Sequence, residues 1–243
     1  MDKKITFKPF GKKAILIEWD AIIDEKILND ILNFKQKIED NLDVLFTDLI
    51  VGYNSITIKL IDECSNFLIL ESKLKNIYKS KLQVKKEVNY LWKIPVCYDS
   101  AFGIDLEEIS LKTNFTKQEI VKLHSEKIYT VFFIGFLPGF LYLGGLNPLI
   151  FVDRKSNPRL KVEKGAVAIG GQQTGVYPTE SSGGWNIIGK TPIDFFNIEN
   201  QNPCFAKAGD KIKFLSISKN EFYLIEKEIA NGDYQLSKSI LGD

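Results

Sequence analysis

Residues 132–192 read FFIGFLPGFLYLGGLNPLIFVDRKSNPRLKVEKGAVAIGGQQTGVYPTESSGGWNIIGKTP, and this stretch decides the fold. Most of the chain's 17 glycines and five of its eight prolines fall inside it. Glycine tolerates positive φ and close backbone approach, whereas proline fixes φ and removes a donor. Punctuation this dense predicts short strands joined by tight turns. Phe136, Phe140, Tyr142 and Trp185 lie between the turns, so the segment has the aromatic content that disordered linkers lack.

Working outward from it, the pattern from Tyr129 onward fits a barrel-like all-β body. Ala208-Gly209-Asp210 predicts a turn before a strand over Lys211–Ser218, followed by a helix over Asn220–Ala230 and a tail. Upstream, Thr116–Glu119 has capping-box spacing and opens a helix ending near His124. Asp105–Glu108 carries the same signal, and Ile94–Tyr98 reads as the start of a new unit. Ile193–Ile198 reads as a strand.

Before residue 90 the pattern changes. Strands are predicted at Ile5–Phe7 and Ala14–Trp19, as a pair within Val44–Leu60, and at Val84–Trp92. Helices are predicted at Asp24–Asp40 and Asn66–Ser80, the first with Ile27, Leu28, Ile31, Leu32 and Ile38 on one side. The expected class is therefore α+β, with a small α/β sandwich over residues 1–90 and a β-barrel over 91–243.

With 243 residues and a net charge of +1, acids and bases interspersed, the chain lacks the basic footprint of a nucleic-acid or anionic-membrane binder. No signal-peptide pattern or membrane-length apolar run is read, and Cys64, Cys97 and Cys204 are scattered. The expectation is a cytoplasmic protein with buried free thiols. One histidine and no metal-ligand spacing argue against a zinc site.

Gly184–Thr191 matches the phosphate-binding P-loop pattern letter for letter, but no buried strand leads in and its interior is bulky, so the match reads as accidental. His124 is the natural general acid–base candidate by pKa, or else a histidine bracing a helix C-terminus. Arg159 is either an anion clamp or half of a structural ion pair. Gln173, Thr174 and Tyr177 offer neutral donors and acceptors for a partly buried amide or carboxylate, while Gln172 suits turn hydrogen bonding. Phe136, Phe140, Tyr142 and Trp185 could wall a pocket or fill a core. No nucleophile-elbow context occurs.

The motifs HSxxxYxVxFxGFLPGFLYLGGL, PR, GAVAIGGQQTGVYP and GGWNIIGKTP, with IPVCYDSAFGIDLEEIS upstream, resemble one bacterial family. Its members are called component B of 5-oxoprolinase, sporulation kinase inhibitor or allophanate hydrolase subunit 1. The resemblance implies a cyclophilin-like carboxy-terminal barrel. It also implies a cyclophilin-like sister subunit, component C of 5-oxoprolinase, and a third subunit, component A, with ATP as co-substrate together with Mg2+. Such assemblies phosphorylate the lactam oxygen of 5-oxo-L-proline and open the ring to glutamate. By carry-over, Arg159 and Lys190 would hold anionic groups, Gln173 and Thr174 would orient the lactam amide, and His124 would manage a proton or brace the loop. Phe136, Tyr177 and Trp185 would line the substrate. The same resemblance leaves open an inhibitor of a sporulation histidine kinase or, through the shared label, an allophanate hydrolase subunit. The chain departs from the family at Glu163-Lys164, where Pro-Ala is usual, at Ser182, where proline is common, and at Lys190, where arginine is usual.

Overall fold

The computed structural model describes residues 5–42, 46–81 and 87–241. These fall into two compact units, Met1–Glu87 and Val88–Asp243.

In the first unit, β1 (Thr6–Pro9), β2 (Ala14–Glu18), β3 (Phe46–Val51) and β4 (Ser55–Leu60) form an antiparallel sheet in the order β1-β2-β4-β3. Two helices, α1 (Glu25–Asn41) and α2 (Phe67–Lys79), complete the unit. Strand alternation puts Ile15, Ile17, Ile56 and Ile58 on one face, where they pack with Ile27, Ile31, Phe34, Ile38, Leu70 and Leu74 from the helices. Asp24 caps α1 by accepting from Lys26 N (2.6 Å), and Asn66 caps α2 by accepting from Ile69 N (3.2 Å). Asp30 accepts from both Trp19 Nε1 (2.8 Å) and Tyr78 Oη (2.7 Å), which fixes the edge of this small core. The expected strand starts at Val44 and Val84 lie outside the described residues.

The second unit runs through β5 (Tyr90–Cys97), α3 (Leu106–Thr113), α4 (Lys117–Ser125), β6 (Ile128–Ile134), β7 (Leu141–Gly144) and β8 (Arg159–Val162). It continues with β9 (Ala166–Gly170), β10 (Gln173–Val176), β11 (Ser181–Gly183), β12 (Asn186–Lys190), β13 (Lys211–Ile217), α5 (Lys219–Asn231) and β14 (Lys238–Ile240). Seven strands in the order β12-β9-β10-β7-β6-β13-β5 close into a barrel through the β12–β5 pairing at Lys190 and Cys97. β8 and β11 form a separate ribbon. The barrel interior holds Ile94, Val96, Val131, Leu141, Leu143, Val167, Ile169, Val176 and Phe214.

β5 and β13 lie parallel along their whole length, from Lys211 opposite Leu91 to Ile217 opposite Cys97. Asp210 secures this pairing by accepting from Tyr90 N (2.9 Å), Trp92 Nε1 (2.9 Å) and Lys207 N (3.1 Å).

Four details differ from the sequence reading. The strand expected at Val84–Trp92 is seen from Tyr90 and runs on to Cys97, so Ile94 lies within a strand rather than opening a unit. On the edge away from β13, Pro95 falls between the stretch paired with β14 and the contact with β12, where its missing N–H is tolerated. Ile193–Ile198 forms no strand: Ile193 and Phe195 plug the barrel core, and the Ile193 amide is satisfied by Thr191 Oγ1 (3.2 Å) instead of a ladder. The tail contains β14, which Lys238 anchors with its ammonium 4.2 Å from the Tyr90 ring centroid. All three cysteines are free thiols, but only Cys97 is fully buried.

The capping boxes divide instructively. Thr116 and Glu119 form one at α4, with the reciprocal bonds at 2.8 and 3.3 Å. At α3 Asp105 occupies the N-cap but makes no side-chain cap bond. Its carboxylate is claimed by stronger donors.

Candidate functional site

β10 separates the residues singled out from sequence. Neighbouring side chains on a strand point to opposite faces. Thr174 therefore enters the barrel, while Gln173 faces outward beside Gly170, its partner on β9.

Inside, Tyr98 Oη lies 2.8 Å from His124 Nδ1, and His124 Nε2 lies 2.8 Å from Thr174 Oγ1. Thr174 Oγ1 donates to the carbonyl of Ala168 at 3.0 Å, so it must accept from the histidine. That assigns the neutral Nε2–H tautomer, with Nδ1 accepting from Tyr98. His124 is completely buried and stacks on Phe214 at 4.8 Å. Burial alone drives its pKa down to about 3. In this arrangement His124 is a satisfied core histidine braced against the strand that carries Gln173, not a base open to solvent.

The outer face is aromatic. Phe140 meets Tyr177 and Trp185 edge-on, each at 5.5 Å, and Tyr142 lies 6.2 Å from Trp185. Two glycines make this packing possible. The Trp185 indole lies flat on Gly170, where a Cβ would sit 2.6 Å from the ring. Gly183 leaves room for Tyr177 Oη, which a Cβ would overlap. Arg154, exposed, stacks 5.4 Å over Trp185 and makes no ion pair among the described residues. Its charge opposes the rise that burial imposes on the pKa values of Tyr142 and Tyr177.

At the rim, the turn between β6 and β7 holds Phe136 at φ +65 with 61 % of its surface exposed. A bulky residue in the left-handed region is strained and requires its surroundings to hold it there. Here Leu137 N donates to Gly135 O (2.7 Å) and Phe140 N to Leu137 O (3.0 Å).

Arg159 and Lys190 are engaged in ion pairs. Arg159 grips Asp105 with two bonds, Nη1 to Oδ2 at 2.9 Å and Nη2 to Oδ1 at 2.6 Å. Asp105 also receives Ile187 N at 2.7 Å and the Lys155 ammonium at 3.1 Å, and it is 3 % exposed. Of the two roles open to Arg159, the geometry shows the ion pair. Lys155 bonds in turn to Glu108 at 2.6 Å. Lys112 and Lys155 together hold the Glu108 carboxyl down at about 2. Lys190 pairs with Glu163 at 2.7 Å, so two of the sequence departures meet each other. Within the P-loop-like stretch, Asn186–Lys190 is strand β12 and no helix follows, so no amide cradle exists.

The structure thus gathers Gln173, Tyr177 and Trp185 on one outer face with Phe136 at its rim. It places His124 and Thr174 behind that face, and Arg159 and Lys190 on other elements. The sequence reading did not single out Arg154 and missed the role of Asp105. A lone arginine between two short elements carries no sequence signal, and a capping pattern concealed the aspartate.

Residues 5–206 match the family described as carboxyltransferase domain, subdomain C and D. A Bacillus subtilis protein named as the B component of 5-oxoprolinase is 32 % identical over 94 % of this chain and 99 % of its own length. An Escherichia coli O157:H7 protein of the same name is 33 % identical over 84 % of this chain and 93 % of its own. This chain belongs to the 5-oxoprolinase B-component family. The Kluyveromyces lactis urea amidolyase structure superposes on 98 % of the chain, but on only 16 % of its own, with a TM-score of 0.83 at 19 % identity. That likeness shows the same fold: a closed seven-stranded barrel and a separate small sheet. Among the described residues no helix is long and apolar enough to cross a membrane.

Proposed function

We propose that this chain is component B of an ATP-dependent 5-oxoprolinase, acting with components A and C to phosphorylate 5-oxo-L-proline and open it to L-glutamate. The observation that carries the reading is end-to-end similarity to proteins of that name, 99 % of the Bacillus subtilis relative being covered. The geometry supports it in a specific way. A lactam is a poor electrophile, and transferring the γ-phosphoryl group of ATP to its oxygen creates a leaving group. Catalysis of such a transfer is mainly positioning and charge stabilisation, with no protein nucleophile required.

The outer face supplies parts for that task. The Gln173 carboxamide offers an acceptor for the lactam N–H and a donor for its oxygen. Arg154 is a planar cation suited to the substrate carboxylate, and Trp185 and Tyr142 give the ring an apolar wall. His124 and Thr174 act through β10 as positioning residues. Mg2+ would arrive on the phosphates, as is usual for a hard cation that keeps few protein ligands. Phe136, an exposed aromatic held rigid, suits an anchor for component C.

The test is glutamate release from 5-oxo-L-proline and ATP by components A and C, with and without this chain. Release that requires both this chain and ATP is expected. Its absence from a complex shown to be assembled would overturn the assignment. The exposed Phe136 also favours a second reading, a regulator that binds a histidine kinase. Kinase inhibition that survives Gln173→Ala, in a chain without oxoprolinase turnover, would select it.

A further inference from the structure

A cavity of about 220 Å3 opens on the outer barrel wall, lined by Phe102, Ile104, Lys161, Glu163, Ile187 and Lys190 among others, and its Val162, Ala166 and Ile187 also pack with the aromatic cluster of Phe140, Tyr177 and Trp185. From its shape and charge we infer a binding site for a small monocarboxylate with a compact apolar body. This inference is independent of the oxoprolinase assignment.

The walls are fixed before any ligand arrives. Four segments line the cavity: the loop before α3, β8 with the residue that follows it, the start of β9, and β12. The Asp105 carboxylate ties three of them together, since it follows Ile104, grips Arg159 at the start of β8 and receives the amide of Ile187 on β12. Asp105 N–H also donates to the Ile187 carbonyl at 2.9 Å. The loop lies so close to β12 that a Cβ on Gly103 would sit 2.5 Å from the Ile188 carbonyl oxygen. Little ordering cost therefore remains to be met on binding.

The lining is largely apolar and carries charged side chains beside the apolar ones. Ala101, Phe102, Ile104, Val162, Ala166 and Ile187 supply the apolar surface. An apolar cavity of about 150 Å3 takes up benzene, so this volume holds a six-membered ring with its carboxylate. The lining carries two cations, Lys161 and Lys190, against one anion, Glu163. Glu180 pairs with Lys161 and evens the charges, so the preference for an anion rests on Lys190. Lys190 is the more sheltered cation, its side chain 24 % exposed and its ammonium 5.7 Å from the Phe102 ring centroid. Its present partner is easily exchanged: the Glu163 side chain is 66 % exposed, and ion pairs this open hold weakly. Lys161 is paired just as openly, with Glu180 at 2.9 Å.

The test is calorimetric titration of the full chain with benzoate, benzyl alcohol and benzylamine, which share a ring and differ in charge. Benzoate is expected to bind at least about tenfold more tightly than benzylamine, the weight of one charge-assisted hydrogen bond. Lys190→Gln should remove that preference. Ile104→Glu, at an exposed position on the rim, should weaken benzoate by a similar factor and keeps the test decisive if Lys190→Gln does not fold. No heat of binding at 10-millimolar-scale benzoate would overturn the inference. So would equal binding of the amine, or unchanged benzoate binding in both variants when folded.

Discussion

On the inner face of β7, β9 and β10, Thr174 is joined to His124 and Tyr98 in a chain where each proton has one acceptor. On the outer face of the same strands, Gln173, Arg154 and Phe136 have polar or apolar surface to spare. The two faces are made from consecutive residues, yet one is finished and the other is open. Inside, burial leaves the histidine neutral and the hydrogen bonds spent, which gives rigidity. Outside, the glycines at 170 and 183 let aromatic rings lie against the sheet and leave functional groups unclaimed. A residue's candidacy for chemistry is therefore set by the face it takes as much as by its type.

Asp105 is where the barrel wall should break first. Asp105→Ala would strand Arg159 without its carboxylate, leave Lys155 with Glu108 alone and leave the Ile187 amide unpaired. Breaking a buried pair in this way costs about 3–5 kcal/mol, to be read from urea unfolding. A loss below about 1 kcal/mol would mean the cluster is solvated and not structural.

The inner face is tested by His124→Leu, which orphans the Tyr98 hydroxyl and a Thr174 lone pair at about 1–3 kcal/mol for each buried group. The pH dependence sharpens this. Its folded pKa of about 3 lies below the ordinary value of 6.5, so the unfolded chain binds more protons between those limits. Stability from this group is complete above about pH 6.5 and falls on acidification toward 3, by up to about 1.4 kcal/mol per pH unit. The leucine variant should lack that component. An unchanged acid slope would show that His124 is not held neutral.

Gly183→Ala probes the outer packing, because its Cβ overlaps Tyr177 Oη. Overpacking of this kind should cost about 1–3 kcal/mol in thermal unfolding. The smallest effect on stability is expected from Gln173→Ala, within about 0.5 kcal/mol, as for most surface substitutions. In the assembled oxoprolinase the same change should lower turnover at least about tenfold, a lost charge-free hydrogen-bond pair having that weight. Full activity would remove Gln173 from the site and leave the outer face to binding alone.

Much of the fold was legible because its signals are local. Helices α1, α2 and α4 follow from periodicity and caps, and the run of short strands after Tyr129 follows from the density of glycine and proline. Ile193 and Phe195 misled because alternating burial imitates a strand even where no neighbour offers a ladder. Asp105 misled because a capping pattern is blind to an arginine 54 residues away that competes for the same carboxylate. The site was legible as a list of residues but not as an arrangement. Only the strand register tells that Thr174 and Gln173 face apart, and only the packing tells that Arg154 lies over Trp185.

The parallel pairing of β5 with β13 also has a consequence in time. Leu91 and Lys211 are neighbours across the sheet but 120 positions apart in the chain, 211 less 91. At about 5–20 residues per second, synthesis leaves β5 without this neighbour for roughly 6–24 seconds. Contacts this distant also slow folding, because the loop must close before they form. During that interval the apolar edge of β5 is open to pairing with other chains. Nascent-chain aggregation and chaperone demand should therefore peak in truncations that end between β12 and β13, and drop once Lys211–Ile217 has emerged.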